Sequence, residues 1–345
     1  MRHRAPGIAR RVQLALLVPV FAVSLIIPVA GAELCGARAV STAGIDTLGG
    51  APPDNAPLGV GANAAELWTA APTRTATARP SLVAARPAPP ARPPGDAVSS
   101  PSVPSARRPD QTSTGVPVGT VLTPSGSLRI TTPNQVIDGL DIAGAVSVEA
   151  SGVVIKNSRI HGGDPYGIDV RSGCVTISDT EISGFENGIA GDDWTGSRVN
   201  IHSVYGDGVK LGSDVTLQDS WIHDLSPAPD AHADGGQMQD GVRNLVVRNN
   251  VIDLSNVDAA NSALFLAPDF GPSSDGPVTI DGNWLDGGNF TLYCVDGNDG
   301  QYIVKSISVT NNEFGRGAKY GPADVNVPIS QSGNIWADTG ATLVL

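Results

Sequence analysis

The sequence predicts an all-β solenoid, a right-handed parallel β-helix of about 8 coils, over residues 118–345. A short strand pattern recurs through this region, and one position of the pattern is always Gly, Asn or Asp in its clear copies. Glycine is frequent, at 41 residues, and aromatic residues are scarce, at 5%. Such a composition suits many short strands and turns better than helices.

Each copy of the pattern is eight residues long and has apolar residues at positions one, three and eight. The clear copies begin at Val153, Val175, Val215, Leu245, Val278 and Ile307, and a weaker copy begins near Gln135. The second residue is mostly polar, so the first three residues alternate with period two and predict a strand. The apolar eighth residue predicts that the chain faces the core again after a bend.

The fifth position of the pattern predicts a sharp corner. Its occupants are Gly139, Asn157, Asp179, Asp219, Asn249, Gly282 and Asn311. These residue types tolerate the left-handed αL conformation, which other L-residues avoid. A degenerate copy at 197–204 has Ile201 at this position, so its corner is expected to be built differently.

A second strand is predicted between the copies. Its inward residues are Ile168, Val170, Val209, Leu211, Met238, Leu264, Leu266, Leu292 and Cys294. Its outward residues are Asp169, Lys210, Gln237, Phe265 and Tyr293. Stacked coils would place these outward side chains in one row, about 4.8 Å apart.

The N-terminal third predicts export. Residues 1–32 combine a basic start, an apolar run and an A-x-A site, which indicates a signal peptide or an uncleaved N-terminal anchor. Residues 33–117 are rich in Pro, Ala, Ser and Thr and predict a disordered linker. The protein is therefore expected to be secreted or attached to the cell surface or cell wall. Cys174 and Cys294 are expected to pack as small hydrophobic residues.

The net charge of the C-terminal region limits the classes of partner that we expect. Residues 118–345 contain 11 Lys and Arg against 28 Asp and Glu, a formal charge of −17. Such a surface repels nucleic acid and anionic lipid headgroups, so neither is expected as a partner. It also repels polyanionic sugars unless Ca²⁺ or a basic patch intervenes. We expect a monomer.

The repeat resembles that of the pectate-lyase-like superfamily of right-handed parallel β-helix proteins, over roughly residues 120–340. The resemblance implies carbohydrate handling along the outer face of the helix. Segment 230–241 resembles the H-x-D-G-x-Q element of bacterial proteins of this type, and it contains His232, Asp234 and Gln237. The catalytic motifs of pectate lyases, polygalacturonases and uronan epimerases are not found in this sequence.

Two kinds of chemistry fit one patch on stacked coils. Asp207 and Asp234 are candidates for the two carboxylates of a glycosidase. Lys210 is a candidate lyase base, with His232 beside it and Arg243 or Ca²⁺ to neutralise a uronate carboxylate. Asp-Gly steps also form turns, and a loop histidine is often only solvated, so structural roles remain alternatives.

The remaining candidates bind sugar or metal. Side chains expected to contact a polysaccharide are Asp169, Trp194, Gln237, Arg243, Phe265 and Tyr293. Asp192, Asp193 and Asp240 are oxygen ligands suited to a possible Ca²⁺. The function predicted is an extracellular polysaccharide lyase or glycoside hydrolase. The alternative is a non-catalytic glycan-binding or cell-wall-associated module.

Overall fold

The computed structural model describes residues 108–228, 231–269 and 271–345. The predicted export segment and almost all of the predicted linker lie outside these residues. The described chain forms 24 strands and one short 3-10 turn, Asn298–Gly300. In the part of the chain that the structure describes, no helix is long and apolar enough to cross a membrane.

Most of the strands follow one another with short connections, and the longest connections are residues 224–232, 267–277 and 295–306. In chain order they are β1 Thr123–Ile130, β2 Val136–Asp138, β3 Leu140–Lys156, β4 Arg159–His161, β5 Tyr166–Ser178, β6 Glu181–Ser183, β7 Asn187–Gly191, β8 Trp194–Ser197, β9 Asn200–His202, β10 Val209–Leu211, β11 Thr216–Gln218, β12 Trp221–His223, β13 Ala233–Met238, β14 Leu245–Arg248, β15 Val251–Leu254, β16 Ala260–Leu266, β17 Val278–Asp281, β18 Trp284–Gly287, β19 Phe290–Cys294, β20 Ile307–Thr310, β21 Glu313–Phe314, β22 Gly321–Val325, β23 Ile329–Ser332 and β24 Ile335–Trp336.

All strand pairs are parallel and form three ladders along one axis. Ladder 1 carries the repeat, through β2, β3, β5, β8, β11, β14, β17, β20 and β23. Ladder 2 follows the corner, through β1, β3, β4, β6, β9, β12, β15, β18, β21 and β24. Ladder 3 completes each coil, through β1, β3, β5, β7, β10, β13, β16, β19 and β22.

This arrangement confirms the predicted parallel β-helix. Ladder 1 contains nine strands in the described residues, one more than the predicted coil number. The core is the inside of the solenoid, where the third and eighth repeat positions are buried. Ile155, Ile177 and Leu217 represent the third position, and Ile160 and Ile222 the eighth, all at 0% exposure.

The corner prediction is confirmed at every predicted position. Asn157, Asp179, Asp219, Asn249 and Asn311 have φ between 49° and 56°, and the two glycines also have positive φ. Each corner turns the chain from ladder 1 into ladder 2.

The prediction for the degenerate copy is wrong by three residues. Its ladder-1 strand is β8, and its corner residue is Arg198, with φ 52°. Ile201 is the buried eighth residue of that copy. The Arg198 guanidinium pairs with Asp179 at the preceding corner, with a 2.6 Å Nε–Oδ1 distance.

A buried row of polar side chains lies immediately after the corners, at repeat position six. Asn250, Asn283, Asn312 and Asn334 are 0–1% exposed. Asn283 Oδ1 accepts from the Asn250 N–H at 2.9 Å, and Asn283 Nδ2 donates to Val247 O at 2.9 Å. Each amide therefore satisfies backbone groups of neighbouring coils that the bend leaves without strand partners.

Residues 108–122 form a strap along the flank of the solenoid. Arg108 pairs with Glu313 near one end, and its guanidinium lies 5.4 Å from the Trp284 ring. The Gly115 N–H donates to Arg198 O at 2.9 Å, and the chain then enters β1 beside the first corner. The predicted linker boundary at residue 117 therefore falls inside a segment that packs on the coils.

The cysteines differ from each other. Cys294 is buried and free, as predicted, and burial raises its pKa to about 12. Cys174 is disulfide-bonded, so its prediction as a packed free thiol is wrong.

The buried amide row predicts a stability effect. Asn283→Ala removes partners from the Asn250 N–H and from Val247 O inside the core, and this should lower the free energy of unfolding by roughly 2–4 kcal/mol. Denaturant unfolding followed by circular dichroism measures it. Asn256→Ala, the same change at an exposed residue, should alter the free energy by less than about 0.5 kcal/mol. Equal effects of the two substitutions would contradict the structural role of the row.

Candidate functional site

The outward residues of ladder 3 form one row, as predicted. Lys210 is directly opposite Gln237, Gln237 opposite Phe265, and Phe265 opposite Tyr293. Asp169 is in the same row, two coils before Lys210, with Ala190 between them. The inward residues predicted for these strands are all buried.

Two Asp-Gly steps bring carboxyl groups of neighbouring coils together beside this row. The Asp234 N–H donates to Asp207 Oδ1 at 2.8 Å. Gly208 and Gly235 follow these aspartates at close contacts between coils. A Cβ on Gly208 would lie 2.4 Å from Gly235 O. Glycine is therefore required at these positions because the coils lie close together. A left-handed backbone is not the reason, since neither glycine has a positive φ.

Asp207 joins this pair to the outward row. Its Oδ2 accepts from Lys210 Nζ, and the same ammonium donates to Gln237 Oε1. The Asp207 side chain is 4% exposed and that of Lys210 is 22% exposed. Lys210 is therefore the surface member of a group whose carboxylates lie underneath it.

Two residues that the sequence did not single out complete the group. Asn261 Nδ2 donates to Asp234 Oδ1 at 3.0 Å, and the Ser262 hydroxyl donates to the same oxygen. Asp234 Oδ2 is buried and has no hydrogen-bond partner among the described residues. Only their place one coil after Asp234 could have indicated Asn261 and Ser262.

The environment favours a proton on this carboxyl pair. Burial, followed by the charge of Asp207, raises the pKa of Asp234 well above its usual range. Burial also raises the pKa of Asp207, although the Lys210 ammonium opposes that rise. Because only Asp207 contacts the ammonium directly, we assign the proton to Asp234 and the negative charge to Asp207.

An aromatic patch continues the row toward the C-terminal coils. The patch consists of Phe265, Tyr293, Phe290 and Tyr320. Ring centroids are 5.3 Å apart for Phe265 and Tyr293, 5.5 Å for Phe290 and Tyr293, and 5.7 Å for Phe290 and Tyr320. Tyr320 is 62% exposed. Phe265 and Tyr293 are thus placed together as predicted, and Phe290 and Tyr320 were missed because they lie at a strand start and in a loop.

A polar side cavity of about 510 Å³ opens at the C-terminal ends of the ladder-3 strands. Its lining includes Tyr166, Asp169, Asp192, Asp193, Lys210 and Asp240. It therefore adjoins the outward row through Asp169 and Lys210, and it gathers several residues that the sequence proposed separately.

The predicted calcium ligands do not form a ligand cluster. Within the described ranges, no three His, Cys, Asp or Glu side chains are grouped as a metal site. Asp192 Oδ1 accepts instead from the Ser213 N–H at 2.7 Å. Asp192, Asp193 and Asp240 share the side cavity without converging on one point.

Of three further predicted residues, Trp194 and Arg243 lie away from the site, whereas His232 lies beside the acidic pair as predicted. Trp194 is 1% exposed and its indole N–H donates to Gly191 O at 3.0 Å, so its prediction as a sugar-stacking residue is wrong. Arg243 pairs with Asp214 at 3.2 Å and does not line the cavity. His232 is exposed beside the acidic pair, and its charge lowers the pKa of Asp207.

Comparison with known proteins shows the family to which the chain belongs. The family described as right handed beta helix region matches residues 143–327. The chain belongs to this family.

Among solved structures, the chain is similar to the catalytic unit of a thermostable GH87 alpha-1,3-glucanase from Streptomyces thermodiastaticus strain HF3-3. The identity is 14%, 62% of each chain is covered, and the TM-score is 0.25. The chain thus spans less than two thirds of that catalytic unit. No curated protein matches.

The acidic pair predicts a pH dependence of stability. A raised pKa favours the protonated carboxyl in the folded state, so this stability is present at acidic pH and is lost as pH rises through the raised pKa. Asp234→Asn keeps an uncharged side chain and should escape that loss. We expect a higher melting temperature than wild type at about pH 8, and a smaller difference at about pH 4.

Thermal melts across this range measure the effect. Asp258→Asn, at an exposed position, is the matched control and should follow wild type. A difference between Asp234→Asn and wild type that stays constant with pH would refute the proton assignment.

Proposed function

We propose that this protein binds a polysaccharide along the outer face of ladder 3. The register that aligns Lys210, Gln237, Phe265 and Tyr293 in one row carries the proposal. Charged and amide groups in one half of the row suit sugar hydroxyls, and the aromatic patch in the other half offers ring faces for stacking. A continuous surface of both kinds fits an extended glycan better than a small ligand.

Charge supports a neutral polysaccharide. The part of the chain from 118 to 345 has a formal charge of −17. The row's one ammonium, on Lys210, is engaged by Asp207 and Gln237. A uronate carboxylate would therefore meet a negative surface whose nearby cation is already paired. The predicted export segment supports a place outside the cell, secreted or on the surface.

Glycoside hydrolysis is the second candidate, and the coupled carboxyl pair favours it. Asp207 and Asp234 are on adjacent coils, and parallel strands are about 4.8 Å apart, close to the carboxyl separation of about 5–5.5 Å in retaining glycosidases. Asp207, as the anion, would attack the anomeric carbon, while Asp234 gives its proton to the departing oxygen. Water would then release the sugar from Asp207 and return a proton to Asp234. Substrate would reach the pair by displacing Lys210 and Gln237.

The lyase alternative has less support. A lyase base needs a nitrogen that is free to take a proton, and Lys210 Nζ is already engaged by Asp207 and Gln237. Arg171, which lines the side cavity together with Lys210, pairs with Asp169 and is therefore not free to neutralise a uronate. Unsaturated products from uronans would nevertheless select this chemistry.

The binding proposal predicts loss of affinity on truncating the aromatic patch. Tyr293→Ala should weaken binding about tenfold or more, because removal of a contacting aromatic ring typically costs over about 1 kcal/mol. Affinity electrophoresis against dextran, mannan, xylan, laminarin, pectate and alginate measures it. Trp221→Ala on ladder 2 is the matched control and should bind like wild type. No binding of the wild type to any of these glycans would count against the proposal.

Hydrolysis has its own test. If the acidic pair is catalytic, reducing ends should accumulate with wild-type protein, while Asp207→Asn and Asp234→Asn should each lower the rate at least about 100-fold and leave glycan affinity nearly unchanged. Asp258→Asn, the same substitution outside the acidic pair, is the matched control. If the wild type binds a glycan but releases no new reducing ends, the binding proposal stands and the catalytic proposal is contradicted.

A further inference from the structure

We propose that the side cavity receives a neutral, hydroxyl-rich branch of the polysaccharide, so that the protein prefers branched over linear chains. This inference rests on the proposed binding along ladder 3. The starting observation is a notch in the outward row at Ala190, between the larger side chains of Asp169 and Lys210.

The notch connects the row with the cavity. Asp169, Ala190 and Lys210 belong to both, since all three line the cavity and lie in the outward row. The next residue, Gly191, has no room for a side chain, because a Cβ there would lie 2.2 Å from Val170 O. A glycan lying along the row therefore passes an opening beside its backbone.

The cavity has room for a sugar unit. Its volume of about 510 Å³ falls within the range of about 300–1,000 Å³ that is usual for small-molecule sites. The notch occupies one coil, and the residues that flank it, Asp169 and Lys210, are two strand spacings or about 9.6 Å apart along the axis. This geometry suits a pendant unit that enters from the side of an extended chain.

The lining selects against acidic branches. Four carboxylates, those of Asp169, Asp192, Asp193 and Asp240, face the cavity with two cations. Arg171 Nε donates to Asp169 at 2.7 Å, and Lys210 pairs with Asp207, so both cations are already paired with carboxylates. A branch carboxylate or sulfate would be repelled, whereas hydroxyl groups can donate to the carboxylate oxygens.

The test uses polysaccharides that share a backbone. The full-length protein is titrated with linear mannan and galactomannan, and with debranched xylan, arabinoxylan and glucuronoxylan. Galactomannan and arabinoxylan, which have neutral branches, should bind about tenfold more tightly than their linear forms, as expected for several added hydrogen bonds. Glucuronoxylan should bind no more tightly than debranched xylan.

Filling the notch provides the decisive variant. Ala190→Phe should abolish the preference for branched chains, measured as the ratio of branched to linear affinity, and the smaller Ala190→Leu should reduce that ratio in part. Ala143→Phe, the same change at an exposed residue on ladder 2, is the matched control. Circular dichroism melts check that each variant folds.

The outcomes separate the two proposals. Equal affinity of the wild type for linear and branched chains overturns the branch site and leaves the binding face intact. A preference that survives Ala190→Phe, or that is greatest for glucuronoxylan, also overturns it. Absence of binding to every chain, linear or branched, contradicts the proposed function itself.

Discussion

The row of buried amides after the corners holds the coils in register, and the rest of the molecule depends on that register. Each corner takes the chain out of a strand, which leaves backbone groups inside the solenoid without ladder partners. Asn250, Asn283, Asn312 and Asn334 supply those partners from one coil to the next. Smaller hydroxyls, such as those of Ser158 and Ser220, occupy the same position in earlier coils, and their oxygens accept backbone N–H groups in the same way.

Because the coils are in register, the outward residues of successive strands form one continuous surface. A shift of one residue in a strand would move its side chains to the opposite face. With the observed pairing, Lys210, Gln237, Phe265 and Tyr293 share one outer row although they are distant in sequence. The same stacking puts Asp207 and Asp234 next to each other under the surface, where burial favours one negative charge over two. The strongest electrostatic feature of the site is thus a consequence of coil packing.

Much of the fold could be predicted because a backbone requirement selects few residue types. The αL corners at Asn157 and Asp219 were predictable for this reason. Arg198 was not, because arginine seldom takes αL, and the apolar Ile201 suggested a false alignment. Trp194 was assigned to the surface as an aromatic residue, yet it packs inside, beside the space left by Gly196. The buried amide row was visible in the sequence as Asn at repeat position six.

The site could be predicted only in part. Strand alternation gave the outward row, since period two fixes which face each side chain takes. Asn261, Ser262, Phe290 and Tyr320 join the site through coil stacking and loop paths, which sequence spacing does not determine. The acidic loop residues near Asp192 suggested a metal, but oxygen ligands bind a cation only when they converge, and convergence depends on the fold of the loops.

In the proposed function, a polysaccharide lies along the outer row of ladder 3. Hydroxyl-radical footprinting tests it most directly, with the full-length protein alone and with each neutral polysaccharide named above. We expect Phe265 and Tyr293 to become protected from oxidation in the presence of a bound chain, whereas Trp221 on ladder 2 stays as reactive as before. Protection of Trp221 without protection of Phe265 and Tyr293 would contradict it.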